Sequence, residues 1–354
     1  MTNYTQLNIG LRLALGAVDP ERFPSEGSWD YPWKRPGFNG FFRGEYGTSN
    51  FESETFFPLS SVNSFDGIRF RNNTNAREPY FLDEFVRRVF RNTGNVSSTG
   101  TFASLFINGE FKTIVNPVER VRDGWLQEVF DSNTAWDVRH VWDWVNGDSD
   151  VHSSMKGFYR GHDFSNTANY NTGISYIDPV NFADYLLVLS YMSTDDWPGN
   201  NKILARERLD GRFSYYVWDA EQSIGAGHPV DYDMFANELQ VDPETHGASD
   251  IPIYFTRLHE YPEFRLLWAD RAQKHLFNGG ALAPASIDSL WTELEQLLQP
   301  LMLHMWGIDY NDPAGQGTRN EARFESWRDD RPRSLSDFTN LRKMLGIGHE
   351  RPLR

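Results

Sequence analysis

The stretch from Asp195 to Glu221 constrains the fold of this chain more than any other part of the sequence. Residues 202–216 read as two strands around an Asp210-Gly211 pair, which is a strong signal for a β-hairpin. Because a hairpin returns on itself, the polar residues before and after it are predicted to meet at one end of the ribbon. The four residues expected to meet there are Asp196, Asn200, Asn201 and Asp219.

Carboxylate and amide oxygens at such a hairpin base form the kind of ligand set that Mg²⁺ prefers when it also binds phosphate oxygens. Protein kinases use an Asp and an Asn of the catalytic region together with a second Asp for this purpose. The alternative is that these residues only make turns, because Asp, Asn and Gly favour turn conformations. The bulky neighbours Trp197, Tyr216 and Trp218 favour the functional interpretation of the combination.

Composition excludes several classes of protein. The chain has 354 residues, 34 basic and 49 acidic side chains and a net charge of −15, which argues against nucleic acid or an anionic membrane as the main partner. It has no cysteine, which excludes disulfides and thiolate metal sites. No apolar run approaches the roughly 20 residues of a membrane span, and the N-terminus shows no signal-peptide pattern.

Periodicity predicts a mixed fold with strands early in the chain and helices late. Strands are expected over residues 7–15, 38–43 and 65–70, and an Asn108-Gly109 hairpin over 102–115. Helices are expected over 79–90, 119–130, 263–278 and 284–305, with a further one opened by Asp178 as N-cap and Pro179 as first helical residue. These elements predict an α+β, two-lobed fold, with a strand-rich lobe over 1–130 and a lobe over 131–354 that holds the hairpin and the helical end.

Three blocks of residues resemble the spore-coat CotH kinase-like family, and the resemblance extends over about residues 10–345. The blocks are Asn181-Phe182-Ala183-Asp184-Tyr185-Leu186-Leu187, Thr194-Asp195-Asp196-Trp197-Pro198-Gly199-Asn200-Asn201 and Val217-Trp218-Asp219-Ala220-Glu221. The resemblance implies an atypical protein-kinase-like fold that binds ATP and a divalent metal, Mg²⁺ or Mn²⁺. It also implies transfer of the γ-phosphate to a Ser or Thr of a partner protein.

The resemblance implies roles for individual residues. Asp219 is similar to the metal-binding Asp of the second kinase motif, Asn201 (or Asn200) to the metal-holding amide, and Asp196 to the catalytic-loop acid. Phe213 falls where the family often has a Trp that stacks on adenine. Glu119 is the acid expected to pair with a phosphate-anchoring lysine, for which Lys34 is the candidate.

The phosphate-binding side departs from the family pattern. The early Gly-x-Arg-x-Arg-Gly-Gly of the family is here Gly10-Leu11-Arg12-Leu13-Ala14-Leu15-Gly16, and its Lys-Lys-Ser-aromatic pattern is Lys34-Arg35-Pro36-Gly37-Phe38. A lysine expected after Trp-Asp-Val-x is replaced by His140. Family members are often exported or associated with a coat, but no targeting signal is recognised in this sequence.

Two other functions are consistent with the same residues. The altered first strand and the many Trp and Tyr residues favour a pseudokinase or surface-interaction module without catalysis. Asp219 and Glu221 also have the spacing of two carboxylates on one face of a strand, about 7 Å apart, which a glycosidase would need. No other motif supports the glycosidase.

Overall fold

The structure is a computed structural model, and it describes residues 6–13, 37–72, 81–224, 228–229, 232–239 and 250–306. The eleven strands in that part of the chain are β1 (Gly10–Leu13), β2 (Phe38–Phe41), β3 (Phe51–Glu52), β4 (Ser64–Phe65), β5 (Gly67–Arg71), β6 (Ala103–Ile107), β7 (Glu110–Glu119), β8 (Trp136–His140), β9 (Asp143–Asn146), β10 (Lys202–Glu207) and β11 (Ser214–Val217).

The eight α-helices described are α1 (Leu82–Asn92), α2 (Asp123–Phe130), α3 (Asp150–Gly161), α4 (Thr167–Tyr176), α5 (Pro179–Tyr191), α6 (Asp250–His259), α7 (Pro262–Leu276) and α8 (Pro284–Trp306). A short π-helix covers Phe235–Leu239. Among the residues described, no helix has both the length and the apolar character needed to cross a bilayer.

The strands form antiparallel sheets. A five-stranded sheet has the order β1-β2-β5-β7-β6, a four-stranded sheet has the order β11-β10-β8-β9, and β3 pairs with β4. Within the first sheet Ile68 lies opposite Glu119 and Arg69 opposite Val118. The predicted mixture of helices with antiparallel strands is therefore confirmed, while the division at residue 130 stays a prediction.

Two predicted local signals are confirmed by their geometry. Asn108 and Gly109 both have positive φ, 53° and 82°, as a two-residue hairpin turn of the type I′ class requires. Asp178 accepts hydrogen bonds from the backbone N–H groups of Val180 (2.9 Å) and Asn181 (3.2 Å), so it caps α5 as predicted. The cap fixes the start of the helix that leads to the hairpin base.

Two expectations need correction. The sequence pattern predicts a helix over 119–130, but β7 continues to Glu119 because it pairs with β5, and α2 begins only at Asp123. The β10–β11 turn is longer than an Asp-Gly pair, because residues 208–213 wrap around the Arg206 side chain. The Arg206 guanidinium donates to the carbonyl oxygens of Arg208 (2.9 Å) and Gly211 (3.0 Å).

Helix α1 is buried on almost every side and carries charges into the interior. It packs against α5 and α8, and its apolar residues share one core with those of α5 and α7. Its four buried charged residues form ion pairs. We call these residues and their partners the α1 ion-pair network. The pairs are Asp83–Arg71, Asp83–Arg87, Glu84–Arg87, Glu84–Arg88 and Arg88–Glu293.

Candidate functional site at the base of the hairpin

The structure brings the predicted polar residues to one end of the β10–β11 hairpin. The last paired residues of this hairpin are Lys202 and Val217, so Asn201 and Trp218 flank its base. The Asn201 amide donates to the carbonyl oxygen of Asp219 (3.1 Å). On the same loop, the Asn200 amide donates to the Asp196 carboxylate (2.7 Å). Asn201 is therefore adjacent to Asp219, and Asn200 is adjacent to Asp196.

The two loops that carry these residues are bonded to each other. The backbone N–H of Asp195 donates to the carbonyl oxygen of Gln222 (2.8 Å), and the hydroxyls of Thr194 and Ser223 lie 2.9 Å apart. Both hydroxyl-bearing residues are buried. The loop after α5 and the loop after β11 consequently form one unit at the hairpin base.

Three of the predicted site residues have left-handed backbone conformations. The φ angles are 57° at Asp196, 49° at Asn201 and 59° at Asp219. Positive φ is uncommon for residues other than glycine, although Asn and Asp tolerate it best. Such conformations persist where the surrounding structure fixes them, and they concentrate at functional sites. The residue types at these positions therefore also satisfy a backbone requirement.

Lys202 holds the loop between Asp196 and Asn201 in place. Its ammonium group donates to the carbonyl oxygens of Pro198 and Gly199, both at 2.8 Å, and lies 5.4 Å from the centre of the Trp142 ring. Burial lowers the pKa of Lys202 to about 8. Sequence reasoning missed this lysine, because nothing in a strand's first residue indicates that its side chain returns to the preceding turn.

Arg71 of β5 brings a cation into direct contact with the site. Its guanidinium forms ion pairs with the carboxylates of Asp219, Glu221 (2.8 Å) and Asp83 (3.3 Å). The Trp218 ring packs on the same guanidinium at 4.8 Å. Asp83 in turn accepts a hydrogen bond from the backbone N–H of Ala220 (2.9 Å). Arg71 is therefore the point where strand β5, helix α1 and the loop after β11 meet. The sequence pattern did not predict its role.

The carboxylates at Arg71 differ in their electrostatics. Burial opposes ionisation of Asp219, but the Arg71 guanidinium outweighs it and lowers the pKa of this carboxyl. Burial and the neighbouring Asp219 charge raise the pKa of Glu221 well above its ordinary value. Asp219 is the more exposed of the two, with 35% of its side chain accessible against 7% for Glu221. Asp219 is therefore the ionised, accessible carboxylate.

Glu119 lies on the other face of the five-stranded sheet. It is paired with Ile68, whereas Arg69 and Arg71 point to the opposite side because side chains alternate along a strand. Its carboxylate accepts hydrogen bonds from Ser60, from the backbone N–H and hydroxyl of Thr99 (2.7 and 3.0 Å) and from the Trp125 indole (3.1 Å). Burial raises the pKa of Glu119.

The remaining predicted residues lie away from the hairpin base or outside the described residues. Phe213 is fully buried at the opposite end of the hairpin, where its backbone bonds to Tyr176 and Asp178. Its ring is enclosed by His152, Trp144 and Arg206. Lys34 lies outside the described residues. The adenine-stacking role of Phe213 and the pairing of Lys34 with Glu119 stay predictions.

His140 carries no charge near neutral pH. Its Nε2 lies 2.7 Å from the carbonyl oxygen of Val121, a contact in which the ring N–H donates. Burial, together with the charges of nearby arginines, lowers the pKa of His140 to about 4. The position where the family pattern has a lysine is thus occupied by a neutral imidazole.

The hairpin base presents a carboxylate and an amide, which are oxygen ligands of the kind that Mg²⁺ prefers. Within the described ranges, no group of three or more His, Cys, Asp or Glu side chains is arranged to hold a metal ion. Mg²⁺ that binds together with nucleotide phosphates needs only one or two carboxylates, because phosphate and water supply its other ligands. The accessible carboxylate of Asp219 and the amide of Asn201 supply oxygen ligands of this kind.

A family model described as CotH kinase protein matches residues 49–344, which is most of the chain. No curated protein matches it. The matched segment contains the hairpin, both of its flanking loops, helix α1 and Arg71, whereas Lys34 lies before it.

Proposed function

The chain belongs to the CotH kinase protein family, and we propose that it transfers the γ-phosphate of ATP to a Ser or Thr hydroxyl of a partner protein in a metal-dependent reaction. Family membership indicates a kinase-like phosphotransferase. The observation that carries the proposal is that Asp196, Asn200, Asn201 and Asp219 are held together at the hairpin base. This arrangement joins an acid that can orient a hydroxyl to an oxygen-rich metal site.

Asp219 and Asn201 are the residues that would hold Mg²⁺ or Mn²⁺, with Asn200 as the alternative amide. The bound ion would neutralise charge on the β- and γ-phosphates. Asn201 orients its amide through the hydrogen bond to the Asp219 carbonyl oxygen. Arg71 keeps the Asp219 carboxylate ionised and limits its rotation. Both effects preorganise the site before ATP binds.

Asp196 would orient the acceptor hydroxyl and accept its proton. Its carboxylate is bonded on one side by the Asn200 amide, and its loop is fixed by Lys202. Little covalent work is needed from the protein in phosphoryl transfer, because positioning and charge stabilisation supply most of the rate. The rigid support of this loop therefore favours catalysis.

The surroundings of Arg71 support a two-lobed, protein-kinase-like arrangement of the chain, with lobes over 1–130 and 131–354. Protein kinases need an ion pair between a lysine of a sheet strand and a glutamate of a helix, next to a metal-binding Asp. Here Arg71 of β5 pairs with Asp83 of α1 and contacts Asp219. Arginine can bind carboxylate and phosphate oxygens in this position, although its geometry differs from that of lysine.

A non-catalytic, pseudokinase-like interaction module is the second candidate function. The observation that favours it is that Asp219, the proposed metal ligand, is already neutralised by Arg71. A metal ion would have to share this carboxylate with the guanidinium. If the pair cannot open, the site would bind nucleotide weakly and transfer no phosphate.

An activity assay with Asp219→Asn tests the proposal. With labelled ATP, Mg²⁺ and a generic acceptor protein, we expect the wild type to transfer phosphate and the variant to lose on the order of 10²–10³-fold in rate. Asp210→Asn removes one carboxylate at the far turn of the same hairpin and serves as the matched control. Full transfer by Asp219→Asn would refute the proposal.

Thermal unfolding separates the two candidate functions. For an active enzyme we expect the midpoint to rise only when ATP and the divalent ion are added together, since binding to the folded state stabilises it. An unchanged midpoint at millimolar concentrations of both would support the non-catalytic module.

A further inference from the structure

Three arginines form a row along one face of the five-stranded sheet. Gly67, Arg69 and Arg71 alternate with Ile68 and Phe70, so the first three share a face. The guanidinium of Arg120 lies over Gly67, where a Cβ would come within 2.8 Å of its Nη1. Arg120, Arg69 and Arg71 therefore follow β5 at intervals of about 7 Å.

The members of the row differ in their partners. Arg71 forms ion pairs with three carboxylates. Arg69 donates to the Asn39 amide oxygen (2.9 Å), and its buried Nε has no hydrogen-bond partner. The Arg120 guanidinium stacks on the Phe41 ring at 4.6 Å. Within the part of the chain that the structure describes, neither Arg69 nor Arg120 belongs to an ion pair.

Such cations are costly to bury without a counter-ion. Burial lowers the pKa of Arg69 and of Arg120 to about 10, and a neighbouring arginine adds to the effect in each case. Carboxylates beyond ion-pair distance, chiefly Asp219 for Arg69 and Asp66 for Arg120, offset this only in part. The chain has 49 acidic residues, so suitable carboxylates are abundant elsewhere. Buried arginines that lie together, with no carboxylate at ion-pair distance, indicate a site where a bound ligand supplies the negative charge.

The position of the row indicates which ligand it binds. Its inner end is Arg71, which contacts Asp219, and the Trp218 ring lies beside both Arg69 (5.9 Å) and Arg71 (4.8 Å). We propose that Arg69 and Arg120 bind the non-bridging oxygens of the nucleotide's polyphosphate chain, while Arg71 positions Asp219 at its end. Guanidinium groups suit phosphate because they donate two parallel hydrogen bonds.

A polyphosphate fits the row better than an acidic segment of an acceptor protein. The ligand must be a linear anion that extends along the strand and ends where Asp219 would hold a metal ion. The inference rests on the proposed function for the identity of the ligand. Its test is a binding measurement that needs neither metal nor transfer, so the two proposals can fail separately.

The test uses inorganic tripolyphosphate without divalent ions as the probe. We expect it to raise the unfolding midpoint of the wild type, and we expect Arg69→Met and Arg120→Met each to weaken its binding about 10-fold. AMP, with one phosphate, should stabilise the wild type less than tripolyphosphate does. Arg43→Met is the matched control, because Arg43 also lies over the Phe41 ring (5.7 Å) but is exposed, pairs with Glu45 (3.7 Å) and is not part of the row.

Folding does not obscure this result. Removing an arginine that lacks a carboxylate partner should leave the ligand-free unfolding midpoint unchanged or raise it, and Arg69→Lys should recover part of the binding. Equal tripolyphosphate affinity of the wild type and the double variant Arg69→Met/Arg120→Met would overturn the inference. Failure of tripolyphosphate to bind the wild type would also overturn it, and an Asp/Glu-rich peptide that binds through Arg69 would then assign the row to an acidic protein segment. If the arginine variants lose tripolyphosphate binding as expected but Asp219→Asn still transfers phosphate at the full rate, only the proposed function is refuted.

Discussion

The hairpin base and the arginine row meet at Asp219, but they are organised in opposite ways. At the base, every proposed ligand lies within one short stretch of sequence and bonds to its neighbours there. In the row, Arg69 and Arg120 are brought together by the pairing of β5 with β7, and within the described residues no carboxylate lies at ion-pair distance from either. A local turn therefore builds the acidic half of the site, and sheet register builds the basic half.

Arg71 and Arg69 provide the sharpest contrast, because they are two residues apart on one strand. We expect Arg71→Met to lower the free energy of unfolding by about 3–5 kcal/mol, since it leaves three carboxylates without their shared cation. Arg69→Met should change it by less than about 1 kcal/mol. Urea unfolding of both variants measures the difference. Similar losses would show that the two arginines are equivalent structural cations.

His140 tests the electrostatics on the basic side. Its pKa is about 4 in the folded protein and ordinarily about 6.5, so between these values only the unfolded chain binds the proton. The free energy of unfolding should therefore fall as pH drops from 6.5 towards 4, by no more than about 3 kcal/mol from this group.

The check is urea unfolding of the wild type and His140→Gln at pH 7 and at pH 4.5. The variant should lose less stability on acidification than the wild type. His162, which is exposed and stacks on the Phe158 ring, supplies the control His162→Gln. This control leaves His140 in place and should keep the loss of stability that His140 causes. An equal loss in all three proteins would contradict the prediction.

Lys202 tests whether the acidic side depends on a rigid loop. Lys202→Met removes two buried hydrogen bonds to the carbonyl oxygens of Pro198 and Gly199, at a cost of about 2 kcal/mol. We expect the rate of phosphate transfer to fall about 10–100-fold, because a small displacement of a catalytic group lowers the rate strongly. Lys112→Met, at a partly exposed pair with Glu110, should leave transfer unchanged. Unaltered transfer in Lys202→Met would show that the loop needs no such support.

The smallest expected effect is at the cap of α5. Asp178→Ala should lower the free energy of unfolding by about 1 kcal/mol, because two backbone N–H groups lose their acceptor. Transfer should change little, since the cap lies at the end of α5 remote from the hairpin base. A large loss of transfer would show that α5 positions the loop through its whole length.

The difference between the two halves also explains what the sequence could predict. The hairpin, the α5 cap and the Asn108-Gly109 turn follow from local chemistry that the residues themselves specify. Asn201 could be placed beside Asp219 for the same reason. Arg71 and Arg69 could not be placed near the hairpin base, because the sequence pattern of a strand does not reveal which other elements pack beside that strand. Glu119 shows the same limit, since one position in register decides which face of the sheet it occupies.

The α1 ion-pair network gives the hairpin base a connection to distant surface. Positive and negative groups alternate from Asp219 through Arg71 and helix α1 to Glu293 of α8, whose side chain is 54% exposed. If a bound cation draws Asp219 away from Arg71, each successive pair must readjust its geometry. A spectroscopic label near Glu293 would then report from solvent on events at a carboxylate on the far side of a buried helix.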